Sequence, residues 1–183
     1  MATFPVHTLD TAPEDARALM DASIAKYKVL PNLHAVMAES PQLFEAYRVI
    51  IELYRACSLS TLERQVVVMT INHENNCDYC MAAHSVLAQR ERMPDPVLAA
   101  LRAGEPLPEP KLDALARFAR ALVAKRGWAD PSDLDAFFAA GYAERQVLDV
   151  VLAIGYKTLS NYTNQLANTP LDAMFASQAW TKP

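Results

Sequence analysis

Cys77, Cys80 and His84 are the residues of this chain whose types and spacing could do chemistry: a Cys-x-x-Cys followed four residues later by an imidazole. On a helix they stand at i, i+3 and i+7 and share one face, within an arc of roughly 60° at about 100° per residue. Two thiols and a base would look into one cleft. An ordinary thiol, with a pKa of about 8.5, is mostly protonated at neutral pH, whereas the nucleophile is the thiolate. A helix starting here would favour ionisation through its unpaired amides and the positive end of its dipole. Asn76 is a good cap, Asp78 suits a first turn, and Met81 to Ala88 contains no helix breaker. Nearness to the helix end favours Cys77 as the nucleophile and nearness to His84 favours Cys80, so spacing alone leaves the choice open.

Composition narrows the setting. Three cysteines, the third being Cys57 in an apolar run, do not make a disulfide framework in 183 residues. In a reducing compartment a close pair is more often catalytic or metal-binding. A zinc site would use Cys77, Cys80 and His84, with His73, Glu74 or Cys57 as the fourth ligand. A dithiol that only senses redox state is a non-enzymatic reading of the same residues. The net charge of −4 and the lack of a basic run argue against nucleic acid. Apolar runs fall far short of the roughly 20 residues that cross a bilayer. With no n-region or h-region at the N-terminus, the expectation is a cytoplasmic protein without membrane partners.

The elements that must position the pair read as helices. Four glycines, twelve prolines and few strand signals predict an all-α chain, taken as a single domain over 1–183. Thr11 to Glu14 reads as a capping box opening a helix to about Lys28, and a short helix follows from Asn32 to Glu39. Ser40-Pro41 caps the next, whose stripe of Leu43, Phe44, Tyr47, Ile50, Ile51 and Tyr54 is a core face. Ser60 to Glu63 is a second capping box, opening a helix to about His73 that leads into the cysteine segment. His34 reads as a surface or satisfied core residue, and His73 as a surface group at a helix end. Beyond Arg92 the pattern predicts helices to Arg102, over Lys111 to Lys125, over Leu134 to Ala140 and over Ala143 to Leu166. Thr169-Pro170 would cap the last one.

Gly104 to Pro110 is the most linker-like stretch, and sets apart an extension of about 1–40, a cysteine-bearing half of about 41–104 and a second half of about 111–178. Glu63-Arg64-Gln65-Val66 recurs as Glu144-Arg145-Gln146-Val147, which suggests an internal duplication. That offset sets Thr158, Asn161 and Gln165 opposite Cys77, Cys80 and His84, making the second half a scaffold copy without thiol chemistry.

Leu62-Glu63-Arg64-Gln65, an apolar helix, Asn76-Cys77-Asp78-Tyr79-Cys80 and His84 together resemble the core motif of the carboxymuconolactone decarboxylase-like superfamily, especially its alkylhydroperoxidase AhpD branch. Asn161 to Asn164 and Thr169 to Asp172 are similar to the ending of its peroxidase-related subgroup. The resemblance implies an AhpD-like helical fold, a homo-oligomer such as a trimer or hexamer, and an alkyl hydroperoxide reductase needing no metal or organic cofactor. In it Cys80 would attack the peroxide, Cys77 would resolve through an intramolecular disulfide, and His84 would belong to the proton relay. A dithiol protein or small thiol would be the reductant. The superfamily name also implies lactone decarboxylation, for which the sequence displays no anion clamp. The family relay uses a glutamate twelve positions before the first cysteine, and that position here is Gln65. A glutamine orients a histidine but accepts no proton at neutral pH. With Glu63 committed to its capping box, Glu74 is the nearest carboxylate left in sequence and is expected to supply the charge.

Overall fold

A computed structural model describes residues 4–183. Its helices are α1 (Arg17–Tyr27), α2 (Asn32–Met37), α3 (Pro41–Arg55), α4 (Thr61–Glu74), α5 (Asp78–Arg90), α6 (Asp95–Ala103), α7 (Pro110–Ala124), α8 (Pro131–Ala139) and α9 (Glu144–Ala167). Short 3-10 segments occupy Glu14–Ala16 and Ala173–Gln178, and no strand occurs among the described residues. The all-α expectation holds. No helix among the described residues is long and apolar enough to cross a membrane.

Helix α4 is the axis of the fold. Every residue from Gln65 to His73 is buried, because its run of Val66, Val67, Val68, Met69 and Ile71 is apolar all round and must be covered on all sides. Helices α5, α6, α7 and α9 supply that cover. Its start is fixed by the expected capping box: the Ser60 amide donates to Glu63 Oε2 at 2.8 Å, and the Glu63 amide to Ser60 Oγ at 3.3 Å. Glu63 also accepts from the Tyr142 hydroxyl at 3.0 Å. On α3 the predicted stripe buries Phe44, Tyr47, Ile51 and Tyr54, and this face meets α9.

Helices α4 and α5 are joined by a turn that moves the expected cap by one residue. Asn76 adopts φ +50°, a left-handed conformation that asparagine tolerates better than other side-chain-bearing residues. The Cys77 amide then donates to Asn72 O at 3.0 Å and the Asn76 amide to His73 O at 3.1 Å. This is a Schellman closure of α4. Asn76 therefore terminates α4, and Cys77 is the N-cap of α5. Cys80 and His84 lie inside α5, while Cys77 stands just before it.

Three further expectations are corrected. Thr11 takes the Thr8 amide at 2.9 Å in a local turn, and Pro13, with no side-chain acceptor, precedes the 3-10 turn that leads into α1. The C-terminal segment is 3-10 and starts after Asp172, not after Thr169-Pro170. Asp172 is drawn across the molecule instead, accepting the Asn32 amide at 3.1 Å and the Tyr79 hydroxyl. His73 is buried, its ring tilted against Trp180 with centroids 5.7 Å apart. It also fills the space beside Gly104, where an added Cβ would lie 2.4 Å from the imidazole.

Helix α9 runs without a break through the residues that the repeat would set opposite the turn. There Asn161 and Gln165 act as clamps on the first half. Asn161 donates to Asn72 Oδ1 at 3.0 Å and accepts from Asn75 Nδ2 at 2.9 Å, while Gln165 Nε2 donates to Asn76 O at 3.2 Å.

Candidate functional site

The four-residue spacing of Cys80 and His84 on α5 turns both toward a cavity of about 510 Å³ lined mainly by α3, α4, α5 and α9, with residues of α1, α2 and the C-terminal 3-10 segment. Cys77 is buried behind Cys80 and does not line it. Both cysteines are free thiols in this structure. Asn164 reaches from α9 to both, with Nδ2 at 3.2 Å from Cys80 Sγ and 3.9 Å from Cys77 Sγ.

Deepest in the cavity lies a group the sequence reading passed over. Lys157, on α9, has 0% of its surface exposed, and a lone ammonium in such a place is costly unless an anion or hydrogen bonds compensate it. Its Nζ stands 3.2 Å from His84 Nε2 and 4.7 Å from the Tyr156 ring centroid, and its charge acts on Cys80. Burial opposes ionisation of Cys80. The neighbouring Cys77 thiol, the Lys157 charge, and the polar side chains of Ser160 and Asn161 outweigh burial and lower its pKa below the ordinary thiol value. Burial likewise pulls Lys157 down, but Cys80, followed by Tyr156 and Cys77, holds it above its usual value. Each charge justifies the other, and the site reads as a buried thiolate–ammonium pair. Cys77 moves the other way: its hydrogen bond to Cys80, then burial, push it up and keep its proton on.

His84 is held neutral, because burial, the Lys157 charge and the Arg55 charge lower it well below its ordinary value. Its tautomer follows from its partners. Gln65 Nε2 donates to Glu91 Oε2 at 2.8 Å, which turns Gln65 Oε1 toward His84 Nδ1 at 3.0 Å. Nδ1 therefore carries the proton, and Nε2 accepts from Lys157. A continuous chain results, running from Glu91 through Gln65 and His84 to Lys157, whose charge acts on Cys80.

This arrangement corrects the expectation for Glu74. Its carboxylate pairs with Arg120 Nε at 2.9 Å and lies 3.5 Å from His73 Nδ1, away from the cavity. The reason is helical phase: Gln65 and Glu74 are nine residues apart on α4, which places them about 180° from each other. Glu91 is the carboxylate that reaches Gln65. It follows His84 by seven residues, a spacing that returns to the same helix face and was available as a signal. For Lys157 the available signal was a single lysine in an apolar stretch of α9.

The zinc set does not assemble. Among the described residues no group of three or more His, Cys, Asp or Glu side chains is arranged to hold a metal. His84 has both nitrogens engaged, Lys157 puts a positive charge between it and Cys80, and His73 and Glu74 belong to the Arg120 cluster. Cys57 is half-buried between α3 and α4. His34 borders the cavity but is a satisfied core residue: its Nδ1 is 2.7 Å from Ser23 Oγ, and burial, then Arg48 and Lys26, lower its pKa to about 4. Tyr79, between the cysteines, holds α5 in place by donating to Asp172 and accepting the Leu33 amide at 3.3 Å.

No family model matches the sequence, and no curated protein is similar to it. Solved structures are similar in fold. A peroxidase-related protein from Ralstonia eutropha JMP134, described as an alkylhydroperoxidase AhpD core, superposes with a TM-score of 0.82 at 21% identity, covering 94% of this chain and 93% of that one. A peroxidase-related protein from Silicibacter sp. TM1040 gives 0.79 at 17% identity, covering 97% and 94%. A cysteine-to-alanine variant of the debrominase Bmp8, in complex with 2,3,4-tribromopyrrole, gives 0.78 at 16% identity, covering 97% and 95%. The chain has the AhpD-like helical fold.

Proposed function

We propose that the protein is a thiol-dependent hydroperoxide reductase working through Cys80 and Cys77. What carries this reading is the placement of Cys80 on a cavity beside the fully buried Lys157, with Cys77 behind it, and the direction of the shifts agrees: Cys80 is lowered and Cys77 raised. Cys80 attacks the terminal peroxide oxygen, the O–O bond breaks, and the departing alkoxide takes a proton from Lys157 to leave as an alcohol. Cys80 is then a sulfenic acid. Cys77 attacks its sulfur, the S–O bond breaks, and hydroxide leaves with the Cys77 proton as water. An external dithiol opens the disulfide by exchange, returning one proton to Cys77 and one to Lys157 while itself becoming a disulfide. His84, anchored by Gln65 and Glu91, holds Lys157 against Cys80.

One experiment reads both the stoichiometry and the charge state. One equivalent of cumene hydroperoxide is expected to consume two thiols and yield one cumyl alcohol, with Cys80→Ser abolishing the reaction. Dithiothreitol should sustain repeated turnover, which separates a catalyst from a dithiol that only senses. A lowered thiol pKa means the thiolate is present above that value and lost as pH falls through it. The rate constant should therefore stay flat across neutral pH and decline only in acid. A rate still climbing about tenfold per unit between roughly pH 6 and 8 would mark an ordinary thiol and refute the ion pair.

A second reading rests on the rings of Tyr47, Tyr54, Tyr79 and Tyr156 around the cavity, which suit a flat substrate. The same pair could dehalogenate an aryl bromide, releasing bromide and a proton as the arene gains hydrogen and the dithiol becomes a disulfide. Bromide release from a bromopyrrole, with no consumption of hydroperoxide, would favour it.

A further inference from the structure

The cavity has two chemically different ends. At one end stand Cys80 and Lys157. At the other, arginines converge from three helices: Arg55 from the end of α3, Arg64 from the start of α4 and Arg90 from the end of α5. Their convergence follows from topology, since α5 runs back along α4 and brings Glu91 to Gln65. Arg64 is spent on structure, donating to Leu59 O at 2.6 Å and Thr61 Oγ1 at 3.0 Å. Arg55 gives one nitrogen to Glu52 at 3.0 Å and keeps the rest of its fork. Arg90 has no side-chain hydrogen bond or ion pair among the described residues, although the carboxylate of its neighbour Glu91 is engaged by Gln65. Arg90 and Arg55 are exposed residues on the cavity lining, and helical side chains lean toward the N-terminus, which for Arg90 is the direction of Cys80.

We infer that the site takes organic hydroperoxides that carry a carboxylate, which docks on Arg90 and Arg55 while the peroxide reaches Cys80. This deepens the proposed function and rests on it. Cys80 and Arg90 are ten residues apart on one helix, a rise of about 15 Å, and the same cavity is lined by the apolar Ile51, Val68 and Leu87. A substrate spanning this path is acidic at one end, apolar in the middle and oxidised at the other. Hydrogen peroxide would use neither the length nor the charge. A carboxylate meets a guanidinium in a two-point, charge-assisted contact, and that geometry sets which end enters first.

The test compares cumene hydroperoxide with its para-carboxylate. The protein should favour the carboxylate by about tenfold or more in kcat/KM. Arg90→Gln should bring the ratio of the two close to one, with Arg90→Lys keeping part of the preference. A ratio near one in the unsubstituted protein, or one that Arg90→Gln does not move, overturns the inference. Binding of para-isopropylbenzoate to Cys80→Ser protein, followed by calorimetry, asks the same question without turnover. Benzoate binding that weakens with Arg90→Gln and with salt supports the docking site even where neither peroxide is reduced, an outcome that strikes the peroxidase reading alone. Peroxide turnover without a carboxylate preference and without benzoate binding strikes the docking site alone.

Discussion

Replacing Lys157 by methionine is expected to slow oxidation of Cys80 by about two to three orders of magnitude while leaving the helices intact. The ammonium has two duties. It favours the Cys80 thiolate against a burial that would otherwise keep the proton on, and in the proposed reaction it supplies the proton to the departing alkoxide. Without it, Cys80 reverts to a buried thiol whose reactive fraction falls tenfold for each pKa unit gained. Methionine fills similar space, and exchanging a buried ion pair for apolar groups is often neutral or stabilising. Activity and stability should therefore part company, which a merely structural lysine would not allow. The readouts are peroxide kinetics, thermal unfolding, and alkylation of Cys80 against pH, whose midpoint should shift upward. A Lys157→Met protein reacting within about threefold of the parent would remove the ion pair from the mechanism.

Asp172→Ala is expected to cost about 2–4 kcal/mol of stability, read as a fall in the denaturation midpoint. Asp172 is the acceptor for two groups distant in sequence: the Asn32 amide at the first position of α2, at 3.1 Å, and the Tyr79 hydroxyl on α5. The residue before Asn32 is Pro31, which offers no side-chain cap. Asp172 therefore serves as the N-terminal anion of a helix that has none of its own. Burial, then Asp172, keep the Tyr79 phenol protonated and donating, and alanine would orphan that donor. Asp172→Asn retains an acceptor and should lose about 1 kcal/mol. If Asp172→Ala loses less than that, the bridge is ornamental.

Much of this architecture could be read from the chain because it is written locally. Ser60 and Glu63 announce α4, prolines 41, 110 and 131 mark the first turns of α3, α7 and α8, and the spacing of Cys80 and His84 gives their common face. The resemblance to the AhpD motif implied a relay position at Gln65, and Gln65 does meet His84. Lys157 stands out in the sequence only as a single lysine in an apolar stretch, and its partners Cys80 and His84 lie 77 and 73 residues away; only the crossing of α9 over α4 and α5 brings it to them. Glu74 misled because nearness in sequence was allowed to stand for nearness in space, when its phase on α4 turns it toward Arg120. The cap at Cys77 depended on Asn76 entering a left-handed conformation, a choice made by the whole turn.

The pairing of Lys157 with Cys80 has an electrochemical side. In the dithiol form each charge stabilises the other inside a dry interior. Closing a bond between Cys77 and Cys80 removes the anion and strands the cation, which must then shed its proton or stay uncompensated. The disulfide is thereby raised relative to the dithiol, and its reduction potential becomes less negative by about 30 mV for every 1.4 kcal/mol that the pair contributes. Equilibration against dithiothreitol buffers reads this directly. In the proposed cycle electrons would then pass readily from an external dithiol toward the peroxide, and the lysine that makes the sulfur reactive would also favour return to the dithiol form.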